Sequence, residues 1–220
     1  MNSPAAHHVI AIDGPAASGK SSVARELARR LGFVYVNSGA MYRALTWLVL
    51  ERGLSAHDIA AIEQLAEHAP LVCELRGNES VLLIDRFDPE PFLRDDRVNE
   101  NVSLVSSVPR VREILVDHLR RYAERNDLVM EGRDIGSVVF PETPFKFYID
   151  ASPEIRLRRR AAQGQRDRIS ARDEADSSRR ASPLIIAEDA HLIDSSNLTI
   201  DGVVGEIIGR LKLKGLTSAR

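Results

Sequence analysis

The sequence predicts an α/β fold in which a parallel β-sheet is flanked by helices. Short apolar runs typical of buried strands alternate with segments of helical period, and Val9–Asp13 (VIAID) followed by the helical run from Lys20 is the first such pair. A stretch rich in small residues joins the two. The 220 residues are 44% hydrophobic, which is enough for a core, so we predict a single domain over residues 1–220.

The first half of the chain shows the alternation most clearly. The first helix is predicted to stop at Gly32, and Phe33–Val36 alternates aromatic and β-branched residues as a second strand. Ser38 is placed as the N-cap of a second helix that runs to Gly53. The segment 55–68 (SAHDIAAIEQLAEH) predicts a third helix, opened by a partial capping box at its first serine and closed before a proline.

The sequence pattern changes after the third predicted helix, from alternating strands and helices to two successive strands. Leu71–Arg76 and Val81–Asp85 are short strand-like runs separated by Gly-Asn-Glu, which predicts a hairpin. Neither run is followed directly by a helix, so we predict that residues 63–100 form a small inserted lobe. A helical pattern then extends from Arg94 to Tyr122, with a break at Pro109. The last predicted elements are strands at Leu128–Met130, Phe145–Ile149 and Leu192–Asp194 and a closing helix from Ile200 to Leu213.

Composition excludes several classes of protein. The formal net charge of -2 gives no global attraction to nucleic acid or to an anionic membrane surface. The single cysteine, Cys73, excludes an internal disulfide and fits a reducing compartment. No apolar run approaches the roughly 18 residues that span a bilayer. We therefore expect a cytoplasmic protein that binds small molecules and neither nucleic acid nor membrane. We also predict that it is a monomer.

The segment GPAASGKSS, from Gly14 to Ser22, matches the pattern G-x-x-x-x-G-K-[ST] and is called the P-loop below. In this pattern backbone N–H groups surround a phosphate at a helix N-terminus, the lysine reaches the β- and γ-phosphates, and the next hydroxyl ligates Mg²⁺. A glycine-rich turn with a solvated lysine is the alternative, but the flanking strand and helix argue against it. The predicted ATP-binding residues are Gly14, Pro15, Ala16, Ala17, Ser18, Gly19, Lys20, Ser21 and Ser22, with Lys20 catalytic and Ser21 on Mg²⁺.

No Asn-Lys-x-Asp motif for reading guanine occurs, which favours a small-molecule kinase over a GTPase. Four further segments, combined with the P-loop, resemble bacterial cytidylate kinases, which transfer the γ-phosphate of ATP to CMP or dCMP. These segments are NSGAMYR (37–43), VPRVRE (108–113), EGRDIGSVVFP (131–141) and RDEADSSR (172–179). The resemblance implies a P-loop core, an enlarged monophosphate-binding insert and an arginine-rich lid. We place the insert at residues 63–100 and the lid at residues 156–180.

The resemblance also implies which residues bind the acceptor nucleotide and which act on the phosphates. The implied CMP-binding residues are Ser38, Arg43, Arg94, Ser103, Arg112, Arg133, Asp134, Arg172, Asp176 and Arg179. The implied catalytic residues are Lys20, Arg133, Arg159, Arg160 and Arg179. Taken singly, most have ordinary alternatives: Arg43 as an exposed helix residue, and Arg133 with Asp134 as a surface ion pair.

Three of the implied residues predict a preference for cytosine. Cytosine presents an amino donor beside two acceptors, so Asp134 accepts from the amine while Arg112 and Ser103 donate to the ring. Uracil places a carbonyl where the amine was, opposite the carboxylate. We therefore expect CMP to be preferred to UMP.

The predicted lid, residues 156–180, contains nine arginines and four acidic residues. That density of arginines suits neutralisation of phosphates. A solvated helix face is one alternative. An RNA-binding stripe is another, but it would need interleaved aromatic residues, which this segment lacks. Arg172, Asp176 and Arg179 share one helix face by their spacing. An intrahelical ion pair is the alternative to the contacts with ribose and phosphate that the resemblance implies.

Two rivals stay open from the sequence. One is a related kinase for AMP, UMP or shikimate, which would share the P-loop. The other is a regulator that binds ATP without phosphoryl transfer. One residue departs from the family pattern, because Asn37 stands where the family usually has Asp, and this removes a negative charge beside the substrate.

Overall fold

One β-sheet organises the part of the chain that this computed structural model describes, residues 7–162 and 184–216. Its strands are β1 (Val9–Asp13), β2 (Val34–Asn37), β3 (Leu71–Arg76), β4 (Glu79–Ile84), β5 (Leu128–Gly132), β6 (Phe145–Asp150) and β7 (His191–Asp194). They lie in the order β3-β4-β2-β5-β1-β6-β7, and every neighbouring pair is parallel except β3 with β4. The predicted α/β fold with a mostly parallel sheet is confirmed.

Helices connect the parallel strands. They are α1 (Lys20–Leu31), α2 (Ser38–Glu51), α3 (Ile59–His68), α4 (Asp96–Val105), α5 (Pro109–Ala123), α6 (Pro153–Ala162) and α7 (Ile200–Leu213), with a 3₁₀ turn at Glu90–Phe92 and a π-helical turn at Ile135–Val139. Within the described ranges, no helix has the length and apolar character needed to cross a bilayer.

Two apolar clusters form the core, one on each face of the sheet. Alternate residues of β5 show the division, because Leu128 and Met130 belong to one cluster and Val129 to the other. Residues of α2 to α5 join the first cluster, and residues of α1 and α7 join the second. In open parallel sheets whose faces are covered in this way, ligands bind at the carboxyl ends of the strands, so a ligand site is expected at that end of the central strands.

Two helix starts differ from the sequence prediction. Ser38 is not the N-cap of α2; Asn37 takes that position, and its Oδ1 accepts a backbone N–H of the first turn at 3.0 Å. The third helix begins at Ile59 rather than Ser55, because the side chain of Asp58 caps it with a bond of 3.1 Å. In both cases a short carboxamide or carboxylate side chain replaces the predicted serine as the acceptor.

The predicted hairpin is present as β3 and β4, with a turn at Gly77, whose φ is 65°. It is continuous with the main sheet, because β4 pairs in parallel with β2 through Glu79 and Tyr35. The hairpin therefore extends the sheet at one edge. The assignment of residues 63–100 to an inserted CMP-binding lobe stays a prediction.

Candidate active site

The P-loop joins the end of β1 to the start of α1, and its two patterned glycines have backbone reasons to be glycine. A Cβ on Gly14 would lie 2.1 Å from the carbonyl oxygen of Ile149 in β6. Gly19 directly precedes α1 with φ 94°, a conformation that side chains disfavour. The sharp entry into α1 thus depends on residues without a Cβ.

Lys20 begins α1, and its side chain is buried inside the P-loop. Its Nζ donates to the carbonyl oxygen of Pro15 at 3.0 Å and lies 4.0 Å from Oε2 of the buried Glu131. Ser21 and Ser22 follow in the first helical turn, where backbone N–H groups lack intrahelical acceptors. An ammonium group and hydroxyls at a helix N-terminus make a site for phosphate oxygens.

Arginine side chains bind carbonyl oxygens of the P-loop. The bonds run from Arg133 Nη1 to Gly14 O (2.7 Å), from Arg156 Nη1 to Ala16 O (3.3 Å) and from Arg159 Nη1 to Ser18 O (3.0 Å). The C=O and the N–H of one planar peptide unit point in opposite directions. Holding the carbonyl oxygens therefore orients the N–H groups of the loop, which are the groups that bind a phosphate.

A buried ion pair lies where α5 meets the end of β5. Arg112 Nη2 donates to Asp134 Oδ2, and the two side chains are only 5% and 6% exposed. Arg112 also donates to the carbonyl oxygen of Ser106 at 3.2 Å and places its guanidinium 5.1 Å from the ring centroid of Tyr42. The fold brings together two predicted base-reading residues that are 22 positions apart in the chain.

One cleft of about 680 Å³ connects this ion pair to the P-loop. The predicted residues that line it are Ala16, Ala17, Ser18, Gly19, Lys20, Ser21, Ser22, Ser38, Arg43, Arg94, Ser103, Arg112, Arg133, Asp134, Arg159 and Arg160. Gly14 and Pro15 belong to the same loop but are not among the lining residues. The structure thus gathers the predicted residues that it describes into one site.

Two of these residues are held by hydrogen bonds to neighbouring elements. Ser38 Oγ donates to the carbonyl oxygen of Glu131 at 2.8 Å, which ties α2 to the end of β5. Arg43 Nη1 donates to the carbonyl oxygen of Leu93 at 2.7 Å and to Oδ1 of Asn99 at 2.8 Å. The guanidinium of Arg43 therefore faces the segment around the start of α4 and carries a positive charge into that side of the cleft.

Three predicted residues, Arg172, Asp176 and Arg179, lie outside the described ranges, as does most of the predicted lid 156–180. Their roles at the ribose and the phosphate stay predictions.

Comparison with known proteins decides the family. A family model described as cytidylate kinase matches residues 10–213. The chain belongs to the cytidylate kinase family. The cytidylate kinase of Desulforamulus reducens is 43% identical over 213 residues, which cover 92% of this chain and 96% of the relative. That of Caldanaerobacter subterraneus subsp. tengcongensis is 43% identical over 209 residues, which cover 90% and 92%.

Among solved structures, a shikimate kinase from Bacteroides thetaiotaomicron covers 93% of this chain and 98% of its own length, with 16% identity and a TM-score of 0.45. That similarity is too low to carry an argument. Membership of the cytidylate kinase family makes the chain a nucleoside monophosphate kinase, a phosphotransferase, and confirms the predicted family and enzyme class. Neither the rival kinases nor the non-catalytic regulator is favoured.

Glu131 of this cytidylate kinase family member lines the cleft but is not among the residues predicted from the sequence. Its carboxylate is buried at the end of β5, and Oε1 accepts the hydroxyl hydrogen of Tyr35 at 3.1 Å. Burial raises the pKa of Tyr35 above its usual range, and the carboxylate of Glu131 adds to this, so the phenol stays a donor. A carboxylate at the end of a strand beside β1 was the signal that could have identified it.

Ser195 was also missed. It follows β7, is buried, and donates from Oγ to the carbonyl oxygen of Ser18 at 2.7 Å. Arg159 binds the same residue twice, from Nη1 to Oγ at 3.0 Å and from Nη2 to the carbonyl oxygen at 2.7 Å. A lone serine after a strand gives no signal in the sequence. These contacts place the guanidinium of Arg159 against the carbonyl side of the P-loop.

Proposed function

We propose that this chain transfers the γ-phosphate of ATP to CMP or dCMP, giving ADP and CDP or dCDP. The observation that carries the proposal is the single cleft that joins the P-loop to the Arg112–Asp134 pair. The end of the cleft at the P-loop suits a triphosphate. The other end offers Arg112 as a hydrogen-bond donor and Asp134 as an acceptor to a base. Phosphoryl transfer depends mainly on positioning and charge stabilisation, so one cleft that holds both nucleotides supplies its main requirement.

On the ATP side, Lys20 would contact the β- and γ-phosphate oxygens. The residues fit Mg²⁺ bound with the nucleotide, because the hydroxyl of Ser21 and the carboxylate of Glu131 both line the cleft, and Mg²⁺ takes oxygen ligands together with substrate phosphates. When bound, the ion supplies positive charge against the phosphate oxygens. Ser21 is the residue that we propose as its protein ligand.

On the acceptor side, no general base is needed, because the attacking phosphate oxygen of CMP is already anionic near neutral pH. The arginines of the cleft must instead relieve the repulsion between two anionic groups. Arg43 and Arg133 are the described residues proposed for the phosphate of CMP. Arg112, Asp134 and Ser103 are proposed for the cytosine ring, with Asp134 accepting from the exocyclic amine.

A substrate panel tests the proposal. ADP production is measured with CMP, dCMP, UMP, AMP and shikimate as acceptors under identical ATP and Mg²⁺. We expect kcat/KM for CMP and dCMP to exceed that for UMP by at least about tenfold, since mispairing buried polar groups has a large cost. A higher kcat/KM for AMP or shikimate would contradict the proposal, and phosphorylation of no acceptor would support the regulator.

A monomeric state and a cytoplasmic location are further proposals, and the single cysteine, which fits a reducing compartment, supports the location. Sedimentation velocity of the purified chain and fractionation of the cells that make it are the measurements that test them.

Replacing Ser195 by alanine should weaken ATP binding. The change removes a buried bond to the P-loop and one of the acceptors of Arg159, at about 1 kcal/mol for a typical hydrogen bond. We expect KM for ATP to rise about 5- to 10-fold, with KM for CMP little changed, as measured by initial rates at saturating co-substrate.

Ser196→Ala is the matched control for this experiment. Its hydroxyl lies in the same loop, donates to Oδ1 of Asp194 and accepts the backbone N–H of Ser152 at 2.8 Å, and it makes no bond to the P-loop among the described contacts. An equal rise in KM for ATP in both variants would mean that the loop, rather than the bond to Ser18, matters.

A further inference from the structure

Asp13 is a buried carboxylate at the end of β1, directly before the P-loop, and it is not among the residues that line the cleft. Its side chain binds two successive backbone groups: Oδ1 accepts the N–H of Ile135 and Oδ2 accepts the N–H of Gly136, both at 2.7 Å. These are the residues that directly follow Arg133 and Asp134 in the chain. Asp13 thus anchors the start of the π-helical turn Ile135–Val139.

The surroundings of Asp13 make a carboxylate costly there. Burial raises the pKa of Asp13 to about 7, and the neighbouring charge of Asp134 acts in the same direction. The bonds from the two backbone N–H groups and the charge of Lys20 act the other way. A carboxylate with two acceptor oxygens is the short side chain that can accept from two adjacent N–H groups at once.

The turn that Asp13 anchors has little room to shift. A Cβ placed on Gly136 would lie 3.1 Å from Cγ of Lys146 and 3.4 Å from Oδ2 of Asp13. On the side where a side chain would stand, the backbone at Gly136 therefore packs closely against the stem of Lys146, a buried lysine in β6, and against the carboxylate of Asp13.

A second bond closes a ring between the two loops. The side chain of Asp13 binds the backbone after Arg133, and the side chain of Arg133 binds the carbonyl oxygen of Gly14, the residue after Asp13. The P-loop is thus held by a side chain of the segment after β5, and that segment is held by the last side chain of β1. The ring connects the P-loop to the segment that presents Arg133 and Asp134 to the cleft.

We infer that Asp13 is a positioning residue that fixes Arg133 and Asp134 relative to the P-loop, so that the acceptor nucleotide is held in register with the phosphates of ATP. The inference rests on the proposed function, because it assigns Arg133 and Asp134 to the acceptor. A displacement of about 1 Å at such a site lowers the rate of transfer by about 100-fold, so anchoring of this turn has a large kinetic consequence.

The test is Asp13→Asn in the full chain. The amide keeps the shape but offers one acceptor oxygen, and its NH₂ group would face a backbone N–H donor. We expect kcat/KM for CMP to fall about 10- to 100-fold and the preference for CMP over UMP to fall with it, while KM for ATP changes less than about 3-fold. A double-mutant cycle with Asp134→Asn should be strongly non-additive, since both changes act on the same contact with the base.

Asp127→Asn is the matched control, because Asp127 also accepts a backbone N–H, that of His8, but at the opposite end of β5. It should leave every kinetic constant within about 2-fold. If Asp13→Asn does not fold, Asp13→Glu keeps the charge, displaces the turn by one methylene and gives the same readouts.

Additive effects in the cycle, or an unchanged CMP preference with a rise in KM for ATP, would overturn the inference. A wild-type chain that does not phosphorylate CMP would overturn the proposed function itself, and the two failures are therefore distinguishable.

Discussion

Lys20→Ala is expected to lower kcat for phosphoryl transfer by about 10²- to 10³-fold while CMP still binds. The buried ammonium group stands at the start of α1, inside the loop that would hold the transferred phosphate. Loss of one preorganised electrostatic contact to a developing charge typically costs this much in kcat. The proposed CMP-binding end of the cleft, at Arg112 and Asp134, does not include Lys20, so the dissociation constant for CMP should change little.

The measurement is kcat at saturating ATP and CMP, combined with calorimetric titration of the variant with CMP. Lys212→Ala is the control, because Lys212 is an exposed lysine of α7. Thermal unfolding of both variants separates catalysis from stability, since Lys20 also donates to the carbonyl oxygen of Pro15. A kcat of Lys20→Ala within about 5-fold of wild type would contradict the role assigned to this lysine.

The sequence predicted the parts of the fold that local patterns determine. The transition from β1 through the P-loop to α1 was predicted because apolar runs, glycine positions and helical period are all local signals. The parallel pairing of β4 with β2 was not predicted, since pairing depends on residues far apart in the chain. The exchange of Ser38 for Asn37 as the cap of α2 has another cause: both residues can cap, but the hydroxyl of Ser38 donates to Glu131 in β5 while Asn37 accepts the N–H of the first turn.

The same division holds for the site. The P-loop residues were found from one continuous motif, whereas the placement of Arg112 and Asp134 at one site was expected only from the family resemblance. Their direct contact follows from the fold and was not predicted. Ser195 was missed because its importance depends on bonds with Ser18 and Arg159, which lie 177 and 36 positions away in the chain. Arg159 was expected at the phosphates, and the structure places its guanidinium on the loop carbonyl of Ser18, so its role as a catalytic residue stays a prediction.

Asp134→Asn is expected to remove most of the preference for cytosine. The carboxylate can only accept hydrogen bonds, as the amine of cytosine requires, whereas an amide can also donate to the carbonyl of uracil. We expect kcat/KM for CMP to fall about 100-fold and the ratio of kcat/KM for CMP to that for UMP to approach one. The change also leaves the buried charge of Arg112 without its partner, which should lower the free energy of unfolding by about 3–5 kcal/mol.

Asp117→Asn separates these two effects, because Asp117 pairs with Arg121 on the exposed surface of α5. That exposed pair contributes under about 1 kcal/mol, so neither the unfolding free energy nor the CMP preference should change appreciably.

Ser103→Ala tests the base-reading end without disturbing the ion pair, and it should lower kcat/KM for CMP more modestly, by the worth of one hydrogen bond, about 5- to 10-fold. An unchanged ratio of CMP to UMP in a folded Asp134→Asn variant would mean that another group reads the exocyclic amine, since the buried pair would then serve only to hold α5 against β5.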